Sequence, residues 1–200
     1  MAPTHRGRPP TSSREMLQDA AFELFLENSY PKTTIDNIAQ RAGVSRATFF
    51  NYFPTKSDVF WVELDEALEA LTGELRQHSP TGSPANALEA LRASLLTVAS
   101  SMGADRVPFA LTQSDLLGNT GDLQASALTR FSALAAVMAN FLELHETPPA
   151  TARTTAYACL AAAVSAAQQW ADAGTTRHGL DSYLTAAIDP VIHGFRGALT

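Results

Sequence analysis

The 200-residue sequence predicts an all-α protein, a short three-helix unit followed by a larger helical domain. Three observations carry that expectation. Alanine and leucine dominate an apolar content of 46%, while aromatics reach only 8%, and this balance favours helices over strands. From Arg14 onward apolar residues recur at helical spacing, and no run alternates with the period of a strand. Between these runs stand Gly, Pro, Ser, Thr and Asn, the residues that end helices.

The first element is not a helix. "MAPTHRGRPPTSS" is polar and rich in Pro and Gly, so residues 1–13 read as a flexible basic arm. The first helix starts at Arg14, with Leu17, Ala21, Leu24 and Phe25 on one face, and "NSYPKT" ends it. Thr34 is placed to cap a second helix whose inner face carries Ile35, Ile38, Ala39 and Ala42. Gly43 suits the left-handed residue just past a helix end. Ser45 then caps a third helix over 46–52, and Pro54 interrupts the chain. A fourth helix is expected over 56–77, with Leu64, Leu68, Leu71 and Leu75 on its apolar face.

After "QHSPTGSPAN" five more helical blocks are expected, at 84–101, 106–117, 121–145, 149–173 and 179–198. Pro190 falls inside the last and is expected to kink or divide it. The alanine-rich block 149–173 allows close helix approach, within the chain or across a dimer.

Several function classes find no support. The histidines at 5, 78, 145, 178 and 193 are scattered, and none has the spacing of a metal site. No Gly-rich phosphate loop is present, so the sequence calls for neither an enzyme nor a cofactor. The lone Cys159 leaves no internal disulfide and fits a reducing cytoplasm. No basic stretch is followed by an apolar segment of the secretory kind, and no apolar run reaches the roughly 18 residues of a membrane span.

The net charge of -6 looks unsuited to a polyanion partner, but it is unevenly spread. Residues 1–60 hold seven Lys/Arg against six Asp/Glu, whereas residues 61–200 hold seven against fourteen. Between 30 and 56 there are four basic residues and one acid. Screening makes the local balance the relevant one beyond about 10 Å, so the N-terminal unit is free to meet a polyanion.

Residues 34–53 read as helix, tight Gly turn, helix, the plan of a helix-turn-helix. At about 100° per residue, Phe49 and Phe53 define the inner face of the third helix. Ala47, Thr48 and Asn51 lie opposite, and Phe50 and Tyr52 sit at the two borders. Such a face is small and polar, with flat side chains at its edges. It suits entry into a groove, where Asn and Thr bond base edges and Tyr reaches a phosphate. Arg46 lies near the inner face, yet in the first turn a long side chain can extend toward bases. Thr34, Lys56, Arg6 and Arg8 are further candidates for the backbone. The competing reading is a small helical bundle with a solvated polar face.

"TTIDNIAQRAGVSRATFFNYFPTKSDVF" resembles the DNA-binding signature of TetR-family transcriptional regulators. Thr34, Ile38-Ala39, Ala42-Gly43-Val44-Ser45, the aromatics at 49–53 and Lys56 carry the likeness. It implies a helix-turn-helix DNA-binding domain at 14–60 and a ligand-binding and dimerisation domain at 61–200. It also implies a homodimer on a palindromic double-stranded DNA operator, most often a repressor, released by a small effector. Thr34, Tyr52 and Lys56 would contact phosphates. Arg46, Ala47, Thr48 and Asn51 would face bases, and Ser45 belongs to the same DNA-binding set. The family often carries Tyr where this chain has Phe50, so the phosphate bond made there is lost. An activator, or a helical binding protein without DNA regulation, is the alternative.

By the same resemblance, the helices at 149–173 and 179–198 would form the dimer interface, with Tyr183, Leu184, Ile188, Ile192 and Phe195 compatible with that. The effector pocket would lie among Phe109, Gln113, Leu116, Phe131, Met138, Phe141 and Trp170, although plain core is the default role of the apolar ones. A mostly apolar lining points to a lipophilic or amphipathic ligand. The ending "QQWADAG…LDSYLTAAID" resembles regulators that sense acyl-CoA-like ligands. Arg130, His145, Gln168 and Gln169 are further polar candidates for the pocket, although an isolated Arg or His on a helix belongs by default at the surface. No membrane partner is expected, and the cytoplasm is the expected location.

Overall fold

A computed structural model of the chain describes residues 13–78, 83–103, 107–112 and 120–196. Those residues are helical and loop-forming, with no strand among them. The chain divides into two compact units, residues 1–61 and 62–200. Most of the expected arm, with Arg6 and Arg8, lies outside the described residues, as do Gln113 and Leu116.

In the first unit α1 (Ser13–Asn28), α2 (Ile35–Arg41) and α3 (Arg46–Tyr52) precede a 3₁₀ turn, Ser57–Trp61. The expected face of α1, Leu17, Ala21, Leu24 and Phe25, is buried. Phe25, Tyr30 and Phe60 close the core as an aromatic trio, Phe25 and Phe60 stacked with centroids 5.1 Å apart. Ile38, Ala39, Ala42, Phe49 and Phe53 complete it.

The turn between α2 and α3 is made by backbone bonds. Gly43 N–H donates to Gln40 O at 3.1 Å and Val44 N–H to Ala39 O at 2.9 Å, the paired closure of a Schellman motif. Gly43 adopts φ +69°, where a Cβ collides with its own backbone. No other atom lies within 4 Å of the place a Cβ would take, so the cost of a side chain there is purely conformational. Gly43→Ala is therefore expected to lower the stability of this unit by about 1–2 kcal/mol. Urea unfolding followed on Trp61 fluorescence measures it.

The expected α-helix from 56 begins later than the spacing indicates. Residues Ser57–Trp61 form a 3₁₀ turn, and α4 runs over Val62–Arg76. Asp58 accepts from the Thr55 N–H and hydroxyl, both at 2.7 Å, and ties the chain into a tight cap after Pro54. The Val59 carbonyl also accepts from Gln18 Nε2 at 3.4 Å.

In the second unit α4 is followed by α5 (Pro84–Ser101), α6 (Phe109–Thr112), α7 (Gly121–Leu144), α8 (Pro149–Asp172) and α9 (Leu180–Arg196), with a 3₁₀ turn at Gly174–Thr176. The expected helix over 106–117 is found only as the single turn α6 among the described residues. The alanine-rich α8 packs between α7 and α9. Ala152, Ala156 and Ala166 are fully buried, so this close approach is made within the chain. Cys159 lies on the same buried face, and burial pushes its thiol up to about 12.

Of the kink or division expected at Pro190, division does not occur, and α9 runs unbroken through it. Pro190 and Ala186 are both exposed, so water can serve the carbonyl that loses its N–H. Nor are Arg130 and His145 surface residues. Arg130 grips Asp65 with two bonds, at 2.7 and 2.9 Å, joining α7 to α4, and its side chain is only 15% exposed. His145 is buried with Nδ1 2.8 Å from the Phe141 carbonyl, which only accepts, so Nδ1 carries the proton. Although no apolar run of membrane-spanning length was expected, α7 is by length and composition apolar enough to cross a membrane. In the structure its Leu134, Met138, Phe141 and Leu142 line the core of this unit.

Candidate nucleic-acid interface

The face predicted for groove entry is built by two local caps and one buried edge. Thr34 caps α2, its Oγ1 accepting from Asn37 N–H at 3.2 Å while Asn37 Oδ1 accepts from Thr34 N–H at 3.1 Å. This reciprocal box uses Asn in the position usually held by Glu or Gln. Ser45 caps α3, accepting from Thr48 N–H at 3.1 Å. Both caps hold the start of their helix where the three-residue reach of a short side chain allows.

Phe49 and Phe53 anchor α3, with 0% and 2% of their surface exposed. On the other side Ala47, Asn51 and Ser45 are exposed and Thr48 is half-buried. The border residues Phe50 and Tyr52 are similarly exposed, at 44% and 43%. The helix wheel thus separates the four aromatics as they stand in the fold. Small side chains form the outer surface, and aromatic rings flank it.

The charged candidates are less free than their spacing indicates. Lys56 Nζ donates to the carbonyls of Tyr30 at 2.8 Å and Thr33 at 3.0 Å, and lies 3.9 Å from the Tyr30 ring centroid. It pins the loop between α1 and α2. Arg46 Nη1 bonds Asp36 Oδ2 at 2.8 Å, and its guanidinium lies 5.5 Å from the Phe50 ring centroid. Arg41 forks between Glu23 and Glu27. That contact holds the Glu27 carboxyl below its usual range and raises the guanidinium in turn. Of the four basic residues between 30 and 56, Lys32, Arg41 and Arg46 are exposed, Lys32 in the loop after Pro31, and Lys56 is half-buried. Sequence reasoning missed Asp36, Asn37 and Tyr30 as partners, because helical periodicity does not show which side chains meet across a turn.

The effector candidates are spread by the fold. Met138, Phe141 and Trp170 sit in the core cluster, with Phe131 packed against it, and Phe109 is half-buried. The Trp170 indole N–H donates to His178 O at 2.9 Å. An open cavity of about 340 Å³ lies elsewhere, between α8 and α9, lined by Gln169, His178, Ser182, Tyr183, Ala186 and Ala187. Of the polar candidates Gln168 and Gln169, both exposed, Gln169 lines this cavity. Among the described residues no group of three His, Cys, Asp or Glu side chains could hold a metal ion.

Comparison with known proteins covers both units. Residues 17–60 match the family model of bacterial regulatory proteins of the tetR family, and residues 85–196 match that of the MftR C-terminal domain. The chain is 28% identical to MftR of Mycobacterium tuberculosis, a transcriptional regulator named for mycofactocin biosynthesis, across 82% of each protein. Among solved structures it is similar to Thermus thermophilus FadR, a TetR-family transcriptional repressor in complex with lauroyl-CoA. That similarity is 30% identity over 90% of this chain and 94% of the other, with a TM-score of 0.55. NalD, a repressor of a Pseudomonas aeruginosa efflux pump, shares the fold with a TM-score of 0.57, 22% identity and coverage of 91% of this chain and 96% of that one.

Proposed function

The chain belongs to the TetR family of ligand-responsive, dimeric, DNA-binding transcriptional regulators, and we propose that within it this protein is a repressor of a palindromic operator. The observation that carries the reading is the outer face of α3. Ala47, Thr48 and Asn51 are short enough to let the helix approach base edges, and buried Phe49 and Phe53 hold them at a fixed register. In this reading Asn51 and Thr48 bond bases, and Arg46 reaches a base edge. Tyr52, Thr34 and Lys56 serve phosphates, with Ser45 at the margin. A regulator of this kind works where the DNA is, in the cytoplasm.

The two copies join through α8 and α9, where exposed small residues such as Ala161, Ser165 and Ala186 permit close packing. The effector is an amphipathic molecule with an acyl-type chain. The lauroyl-CoA held by the FadR relative supports that chemistry. So does the apolar set Phe109 and Phe131, the candidates that are not already spent on the deepest core. Gln113 and Leu116 belong to the same proposed lining.

Binding of the full chain to the intergenic DNA upstream of its own gene tests the reading. Selective binding, weakened by an acyl-CoA, is the expected result. Equal affinity for random DNA would remove the regulator assignment. Asn51→Ala is expected to relax base choice at one position per half-site by roughly 1–3 kcal/mol. Lys56→Ala, which also removes the loop anchor, is expected to weaken all sequences alike. Sedimentation at micromolar concentration decides the dimer, since a monomer there contradicts the interface.

A further inference from the structure

We propose that Asp36 and Phe50 are positioning residues for Arg46, and that the three together set one base preference of α3. The inference rests on the DNA-reading function above and names residues that function leaves unassigned.

Arg46 is the first residue of α3, and at about 100° per residue its backbone direction lies near the inner face, so its exposed side chain must turn outward. Two contacts decide where its side chain goes. Phe50, one turn later, offers its ring face, with the guanidinium carbon 5.5 Å from the centroid. Asp36, in the first turn of α2, takes Nη1 at 2.8 Å. The ring is itself backed edge-on by Phe49, with centroids 5.7 Å apart at 88°, and Phe49 is fully buried. A flat group is thus held between a rigid aromatic platform and a carboxylate, at the border next to Ala47 and Asn51.

The side chains of Arg46 and Asp36 are 58% and 63% exposed. A pair this open to water is weak, so a base edge with two acceptors can replace the carboxylate. The pair nevertheless orients the guanidinium before DNA arrives. Its second effect is on charge. Asp36 neutralises Arg46 in the free protein, so indiscriminate attraction to phosphates falls while directed bonds to a base remain. Such an arrangement favours selectivity over raw affinity. It also accounts for Phe50. Without a hydroxyl it makes no phosphate bond, and its ring serves Arg46 instead.

The test uses the full chain, selected against a randomised double-stranded DNA pool and then titrated against the chosen site and random DNA. Asp36→Asn is expected to raise affinity for random DNA about three- to tenfold and to steepen the salt slope by about one per head. It should also lose discrimination at the one base pair where Arg46→Ala loses it. Phe50→Leu is expected to lose the same discrimination with no gain on random DNA, and Phe50→Tyr, which keeps the ring, to retain it. Unchanged base preferences in Asp36→Asn at every position would overturn the proposal. So would a uniform loss on all sequences in both Asp36→Asn and Phe50→Leu, which marks a purely structural role. If the unaltered protein itself selects no sequence, it is the regulator reading that fails, and the two failures are told apart by that control.

Discussion

Phe49→Ala is expected to destabilise the N-terminal unit by about 3–5 kcal/mol and to abolish operator binding. Phe49 is completely buried and meets Phe53 and Phe50 at centroid distances of 5.5 and 5.7 Å. Truncation removes one ring from the centre of a small core, and the helices around it are only 16, 7 and 7 residues long. Short helices draw their stability from tertiary packing rather than from propensity, so the loss cannot be absorbed locally. Hydrogen exchange measures it directly. Amides of α1–α3 should exchange roughly a hundred- to several-thousandfold faster than in the unaltered protein. Phe50→Ala, one position away but 44% exposed, is the matched control. It is expected to change stability by about 1 kcal/mol or less. Equal losses at both positions would mean that the core is not divided as described.

Operator affinity is expected to fall about 10²- to 10⁴-fold between 50 and 200 mM salt, the range given by roughly four to eight neutralised phosphates per dimer. The structure places the result toward the lower end. Arg41 is already balanced by Glu23 and Glu27, and Arg46 by Asp36. Cations that leave one carboxylate for one phosphate release few counterions. A slope near -4 in a titration at several salt concentrations fits these pairings. A slope near zero contradicts phosphate contact altogether.

Both results bear on what could be seen before the fold. Thr34, Gly43 and Ser45 were legible because each acts on residues within five positions. Thr34 meets Asn37, Ser45 meets Thr48, and the Gly43 turn closes Val44 onto Ala39. The inner and outer faces of α3 were legible for the same reason, since one helix turn fixes which residues share a side. Lys56 on the Tyr30 and Thr33 carbonyls was not, and neither was Arg130 on Asp65, 65 residues away. A charged residue within a helical pattern signals surface by default, and only a partner from another helix makes burial tolerable. His145 followed the same course, because burial was possible once its Nδ1–H could donate to the Phe141 carbonyl.

What the sequence by itself determined is the helical class, the two caps, the glycine turn and the division of Phe49 and Phe53 from Ala47, Thr48 and Asn51. These depend on spacing and on bonds between near neighbours, which the order of residues dictates. Only the tertiary structure decided where Arg46, Lys56 and Arg130 send their charges, and that α9 passes through Pro190 without breaking. Long flexible side chains reach several partners with similar energy, and a missing backbone bond costs little where water can reach the carbonyl. Those choices are settled by which helices cross and which faces stay wet.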